Sequence, residues 1–132
     1  MRIVQRTFHL AKQLMGEKRW TEAIPLLELT RDEPRFRVQS LVRIGLCLLF
    51  LEQMEKARGY LMWAVPDLDF GDDPELHKSG HYFLARIEEE RGDLATAEKH
   101  YVEVVVVDYE YKDTVQRMGE LQGRTANKAS TE

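Results

Sequence analysis

Small residues punctuate the apolar positions of this chain and return at a fixed interval. An aliphatic residue followed by a small one, an alanine twelve positions later and a bulky residue four beyond it occur three times. The copies are Leu10-Ala11, Ala23 and Leu27; Ile44-Gly45, Ala57 and Leu61; and Leu84-Ala85, Ala97 and Tyr101. A large apolar side chain stands three before each alanine: Trp20, Met54 and Leu94. The first two copies are 34 residues apart and the second and third 40, an insertion of six. A fourth copy begins at Met118-Gly119, with Val115 ahead of it, and stops. Spacings of three and four put side chains on one stripe of a helix. Each copy therefore reads as two helices joined by a turn. Two helices approach to about 8–10 Å only where a side chain is short enough to admit the neighbour's ridge, which is the use for Ala11, Gly45, Ala85 and the later alanines.

Local signals fit this frame. Pro74 behind Asp73 is a cap and first-turn pair and predicts a helix to about Arg91. Gly92-Asp93 ends that helix and caps the next, and Asp113 is expected to cap the last. Pro25 would remove a helical hydrogen bond; with Thr21 as cap it falls in the first turns, where the loss is small. The insertion lies in or near Asp67 to Leu76, after Pro66 has ended the preceding helix, and should lengthen the turn and extend the next helix at its start. Val104-Val105-Val106-Val107 favours a strand by propensity, but the alanine register ahead of it assigns a helix.

The 34-residue step resembles the tetratricopeptide repeat (TPR), a helix-turn-helix unit of that period, over roughly residues 4 to 122. Thr7, Leu41 and His81 stand where the family usually has a tryptophan or another aromatic, and its closing proline is displaced or absent. The resemblance implies an all-α fold, a right-handed α-solenoid of three repeats at about 4–37, 38–71 and 78–111. A capping helix at about 113–122 and a disordered tail at 123–132 complete the expected single domain. In this family the first helix of each repeat lines the concave side, and ligands usually lie there. On the matching positions the implied groove residues are Phe8, Lys12, Val42, Leu46, Tyr82 and Arg86, continued by Gln116 and Glu120 and flanked by Arg43, Leu49 and Glu89. Such a groove, apolar at its centre with mixed charges at its edges, suits an extended or helical peptide with hydrophobic anchors. The alternative for Val42, Leu46 and Leu49 is that they are core. Some members clamp acidic chaperone tails with a lysine, asparagine and arginine set; the matching positions here are Phe8, Lys12, Arg43, Ser79 and Phe83, so the clamp is broken and that function is not carried over.

Composition narrows the function. With 132 residues the chain has the length of one domain, and 43% hydrophobic against 32% charged residues is the balance of a globular protein. A net charge of −4 gives no bulk attraction for nucleic acid. The start, MRIVQRTFHLAKQL, is broken by Gln5, Arg6, His9 and Lys12 and lacks the apolar run of a secretory signal. No stretch reaches the roughly 20 apolar residues of a membrane span. Cys47 is the only cysteine, so neither an internal disulfide nor a cysteine-rich metal site can form. A cytoplasmic protein without a cofactor is expected.

Three clusters invite sharper readings. His77 and His81, four apart, share a helix face at two-histidine metal spacing. Lys78 stands where helical zinc motifs put glutamate, a third ligand could come only from Glu75 or another helix, and packing is the preferred role for His81. Asp67, Asp69, Asp72, Asp73 and Glu75 resemble a calcium loop, but Asp72 takes the glycine position and Lys78 the final acid, leaving a solvated loop and a helix cap. Arg31, Arg35, Arg37 and Arg43 form a basic corner, read as solvated turn residues ahead of a site for an acidic partner. No nucleophile-and-base signature or phosphate-cradling glycine loop is present, and Cys47, in LCLLFL, is expected to be buried and inert. The chain reads as a non-enzymatic adaptor or scaffold that binds another protein or a peptide segment. The alternatives are a small chaperone resembling the repeat-built export chaperones of bacteria, or a self-assembling homo-oligomer.

Overall fold

The structure is a computed structural model that describes residues 2–131, with side chains through residue 125. All regular elements among the described residues are helical. The chain divides into two compact units, one ending at Leu68 and the other starting at Asp69. The division falls inside the inserted segment that the repeat spacing located.

The first unit holds two helix pairs. Helix α1 (Arg2–Gly16) packs on α2 (Trp20–Thr30); a 3-10 turn at Pro34–Phe36 leads into α3 (Arg37–Phe50), which packs on α4 (Met54–Ala64), and a second 3-10 turn follows at Val65–Asp67. The stripe residues Ala11, Ala23, Leu27, Ile44, Ala57 and Leu61 are fully buried. Gly45 shows why the small position must be small. A Cβ there would lie 2.8 Å from Leu61 Cγ, 2.9 Å from Leu61 Cδ2 and 3.4 Å from the Ala57 carbonyl oxygen. The branch carbon of a fully buried leucine cannot swing away as a flexible tip would. Gly45→Ala is therefore expected to lower stability by about 1–3 kcal/mol through overpacking, despite alanine's better helix propensity; a thermal midpoint at or above the parent's would reject the close approach.

Pro25 departs from expectation. Arg19, not Thr21, precedes the first helical residue, and its side chain makes no capping bond. Pro25 is thus the sixth residue of α2, beyond the four N–H groups that lack helical acceptors in any case, and one interior bond to the Thr21 carbonyl is forgone. A buried hydroxyl pair, Thr30 Oγ1 to Ser40 Oγ at 2.7 Å, joins α2 to α3, and Tyr60 donates to Glu28 at 2.7 Å.

The second unit consists of α5 (Pro74–Glu90), α6 (Leu94–Val105) and α7 (Thr114–Thr131). Asp73 caps α5 by accepting from the Leu76 N–H at 3.0 Å, and Asp93 caps α6 through Thr96 at 3.1 Å. The valine run is helical through Val105 and leaves the helix in a turn at Val106 and Val107. Tyr82, Ala85, Ala97, Tyr101, Val104 and Leu121 form the core, with Phe83, Leu94, Tyr111 and Met118 packed around it. Gly119, the small residue of the fourth copy, is exposed and a Cβ there would touch nothing. Among the described residues no second helix of a fourth pair follows α7 to be admitted. The helix also runs past residue 122, where a disordered tail was expected: Gly123 is accommodated inside it, and no proline follows to stop it. The tail's side chains from residue 126, and Glu132 altogether, lie outside the described residues.

The turn inside each pair follows the repeat more faithfully than its sequence does. Lys18 (φ 61°), Glu52 (φ 63°) and Gly92 (φ 84°) are left-handed at equivalent places. In each turn the next N–H reaches back five residues: Arg19 to Leu14 and Gln53 to Leu48 at 2.9 Å, Asp93 to Glu88 at 3.0 Å. That bond closes the end of the first helix of the pair. Only the third turn uses glycine, the residue free of steric penalty there.

Candidate functional site

The residues assigned to a groove separate into two groups. Phe8, Val42 and Tyr82 are core, with 4%, 0% and 3% of their surfaces exposed. They are corrected from groove anchors to packing residues, because the face of α1, α3 or α5 that carries each is wider than the small residues alone reveal. Tyr82 illustrates this: its ring lies against Phe83, Tyr101 and Tyr111 at 5.1, 6.1 and 5.7 Å between centroids, and its hydroxyl donates to Asp113 at 2.5 Å. Asp113 thus spends its side chain on Tyr82 and on Arg117 Nε at 2.9 Å, while its backbone carbonyl accepts the Arg117 N–H. Burial pushes the Asp113 carboxyl up, but the bonds from Tyr82 and Arg117 outweigh it and hold the group below its ordinary value. Glu89 is likewise structural: it accepts from Tyr101 at 2.8 Å and pairs with Arg117 at 3.3 Å. Burial, and then the Glu89 bond, raise the Tyr101 hydroxyl above its usual range.

The second group reaches the surface. In the first unit Lys12 is exposed, and Arg43, Leu46 and Leu49 are half-buried. Lys12 Nζ and the Arg43 guanidinium both sit over the Phe8 ring, 5.7 and 5.1 Å from its centroid. In the second unit Arg86 is exposed over Tyr82 at 5.9 Å, and Lys112 lies over Tyr82, Phe83 and Tyr111 at 5.5–5.9 Å. Cations held over aromatic rings thus mark both units. Gln116 and Glu120, also assigned to the groove, are exposed and bond each other at 3.2 Å on α7. The basic corner is anchored as well: Arg31 and Arg37 stack on Trp63 at 5.2 and 5.0 Å, and Arg31 pairs with Glu28 at 3.1 Å. A cleft of about 560 Å³ lies on the α6 and α7 side of the second unit, lined by residues including Asp93, Leu94, Glu98, Val102 and Thr125.

A different constellation is assembled between α5 and α6. His77 and His81 share a face of α5, with ring centroids 4.5 Å apart. His81 Nδ1 meets His100 Nδ1 at 3.0 Å, and His77 Nε2 lies 3.7 Å from Glu103 Oε2, too far for a hydrogen bond. His77 is 4% exposed, and neither of its ring nitrogens has a hydrogen-bond partner. Leaving such groups buried and unmet costs about 1–3 kcal/mol each. Burial, with His77 and His100 nearby, drives the His81 pKa down to about 3, and burial lowers that of His100 against the opposing pull of Glu88 and Glu103. Both rings are neutral at neutral pH. His100 and Glu103 are absent from the sequence-derived candidates, yet the antiparallel register pointed to them. The hairpin pivots on Ala85 and Ala97. His81 is four before the first and His100 three after the second; His77 is eight before and Glu103 six after. Cys47 is buried, and its thiol is pushed up to about 11 by that burial, which keeps it protonated and unreactive.

Neither a protein-family model nor a curated protein matches the sequence. Solved structures do match, with TPR domains among them. The first TPR of Spaghetti (RPAP3), bound to the HSP90 peptide SRMEEVD, aligns with a TM-score of 0.74 and 10% identity over 93% of both chains. The Sgt2 TPR domain from Aspergillus fumigatus aligns at 0.70 and 16% identity over 100% of this chain and 84% of that one. The Yersinia enterocolitica type III secretion chaperone SycD, in complex with a peptide of the translocator YopD, aligns at 0.67 and 13% over 100% and 97%. The protein has the fold of a tetratricopeptide-repeat domain, with three helix-turn-helix pairs and a capping helix. Among the described residues no helix is long and apolar enough to cross a membrane.

Proposed function

We propose that this is a non-enzymatic interaction module, an adaptor or scaffold that holds a segment of another protein against the first helices of its repeats. The observation that carries this is the likeness over nearly the whole chain to two TPR structures that hold a peptide of another protein. Within the first unit the contact face consists of Lys12, Arg43, Leu46 and Leu49: two cations fixed over Phe8 beside half-buried leucines. That chemistry suits a segment pairing an acidic with an apolar side chain. A small chaperone of the export type is the second reading, favoured by the match to SycD over 100% of this chain. Cytoplasmic residence accompanies both.

Selection of a displayed peptide library on the immobilised chain, followed by titration of an enriched peptide, tests the proposal. Leu46→Ala and Arg43→Glu should each weaken binding by about 1–3 kcal/mol, roughly five- to 150-fold, with helicity by circular dichroism retained. Lys12→Ala should matter less, and least at high salt. Failure to enrich any peptide over an unrelated helical scaffold would defeat the module reading. Full affinity in both folded variants would move the contact to another face.

A further inference from the structure

We propose that His77, His81 and Glu103, with His100 behind them, form a zinc site that ties α5 to α6. The first ground is convergence. One donor atom from each of His77, His81 and Glu103 lies within 4.8 Å of the others, and they come from two helices through the hairpin register rather than from one run of sequence. Zinc bonds of about 2.0–2.2 Å set neighbouring tetrahedral donors about 3.3 Å apart, so the group is assembled to within roughly 1.5 Å of coordination. Glu103 can close that gap, because its side chain is 52% exposed and not locked by packing. The second ground is the unmet demand of His77. A 96%-buried ring with both nitrogens unpartnered is rare in a folded protein, and a bound cation supplies the missing partner for one of them.

The third ground is the His100 contact. Histidines that bind metal are held by a hydrogen bond to their other nitrogen, which fixes the tautomer and aims the ring. His81 meets His100 through Nδ1. When that Nδ1 carries the shared proton, the lone pair of His81 is on Nε2, free for the ion. Two imidazoles and a carboxylate, with a fourth position left for water, are the ligand types of zinc rather than of calcium or magnesium, whose shells are all oxygen. The site lies within the second unit and does not depend on the peptide-binding reading.

The test uses the full chain made without a polyhistidine tag, stripped with a chelator and dialysed. Isothermal titration with Zn²⁺ alone should give one ion per chain with a dissociation constant in the micromolar range or below, and Co²⁺ should give the intense visible bands of a four-coordinate site. Glu103→Gln, at an exposed position that leaves packing untouched, should weaken Zn²⁺ at least tenfold. His77→Phe, which keeps the buried ring and removes its nitrogens, should abolish stoichiometric binding. His9→Ala, at the exposed fourth histidine on α1, should bind as the parent does. No uptake by the parent at tens of micromolar Zn²⁺ would overturn the proposal, as would parental affinity in Glu103→Gln or loss of the ion in His9→Ala.

Discussion

Tyr101→Ala should lower the stability of the protein by about 3–5 kcal/mol, the range for deleting a large buried aromatic, and the thermal midpoint by roughly 10–20 °C. Tyr101 is completely buried among Tyr82, Ala85, Ala97, Val104 and Leu121, where no neighbour can collapse into the space it would vacate without abandoning a rotamer. Its hydroxyl also holds Glu89, which in turn holds Arg117. Tyr101→Phe separates the two contributions: it retains the ring and should cost about 1.5–3 kcal/mol, the net worth of one hydrogen bond to a carboxylate. Thermal unfolding of both variants is the measurement. Equal losses in the two would mean that the polar network, and not the filled volume, supports this core.

Ending the chain after Asp108 is expected to be at least as damaging, by more than about 4 kcal/mol. A buried leucine is worth about 2–5 kcal/mol when truncated, and Leu121 leaves together with Tyr111, Thr114 and the Asp113–Arg117 pair. Tyr82 would then lose its hydroxyl partner and one of its ring neighbours. A terminal repeat without its cap exposes its apolar face, so aggregation should accompany the loss. Ending instead at Gln122 removes side chains whose described contact with the second unit is Arg124 to Glu89 at 3.9 Å, and should change stability by no more than about 0.5 kcal/mol. Urea unfolding of the two truncations decides the matter. If the shorter deletion proved as harmful as the longer, α7 would contribute through its far end, and the core described here would be incomplete.

The helices, the buried alanines and the position of the insertion were legible because each rests on spacing. Ala11, Ala23, Ala57, Ala85 and Ala97 are all fully buried, and the six-residue insertion coincides with the boundary between units. The face that meets a partner was less legible. Phe8, Val42 and Tyr82 satisfy the same periodicity as an exposed anchor would, since a one-dimensional pattern reports which side of a helix a residue occupies but not how many neighbours cover that side. Lys12, Arg43, Leu46 and Arg86 reach the surface because their positions lie a turn away or next to the packing stripe. The histidine cluster was half legible: the spacing of His77 and His81 lies within one helix, whereas His100 and Glu103 join them only through the pairing of α5 with α6. The end of α7 was missed for another reason, in that a low apolar content removes the packing signal without supplying a helix breaker.

The side-chain bonds of longest reach along the chain have a consequence for how it finds its structure. Tyr60 reaches back 32 positions to Glu28, Lys78 forward 30 to Asp108 and Tyr82 forward 31 to Asp113. Each spans about one repeat. No such bond requires the two ends of the chain to find each other, so the loop entropy to be overcome before a contact forms is that of a short segment. A helical chain in which most close residue pairs are local belongs with proteins that fold in about microseconds to milliseconds. Within the first unit either helix pair can serve as the starting point, with the other condensing on it through the contact of α2 with α3.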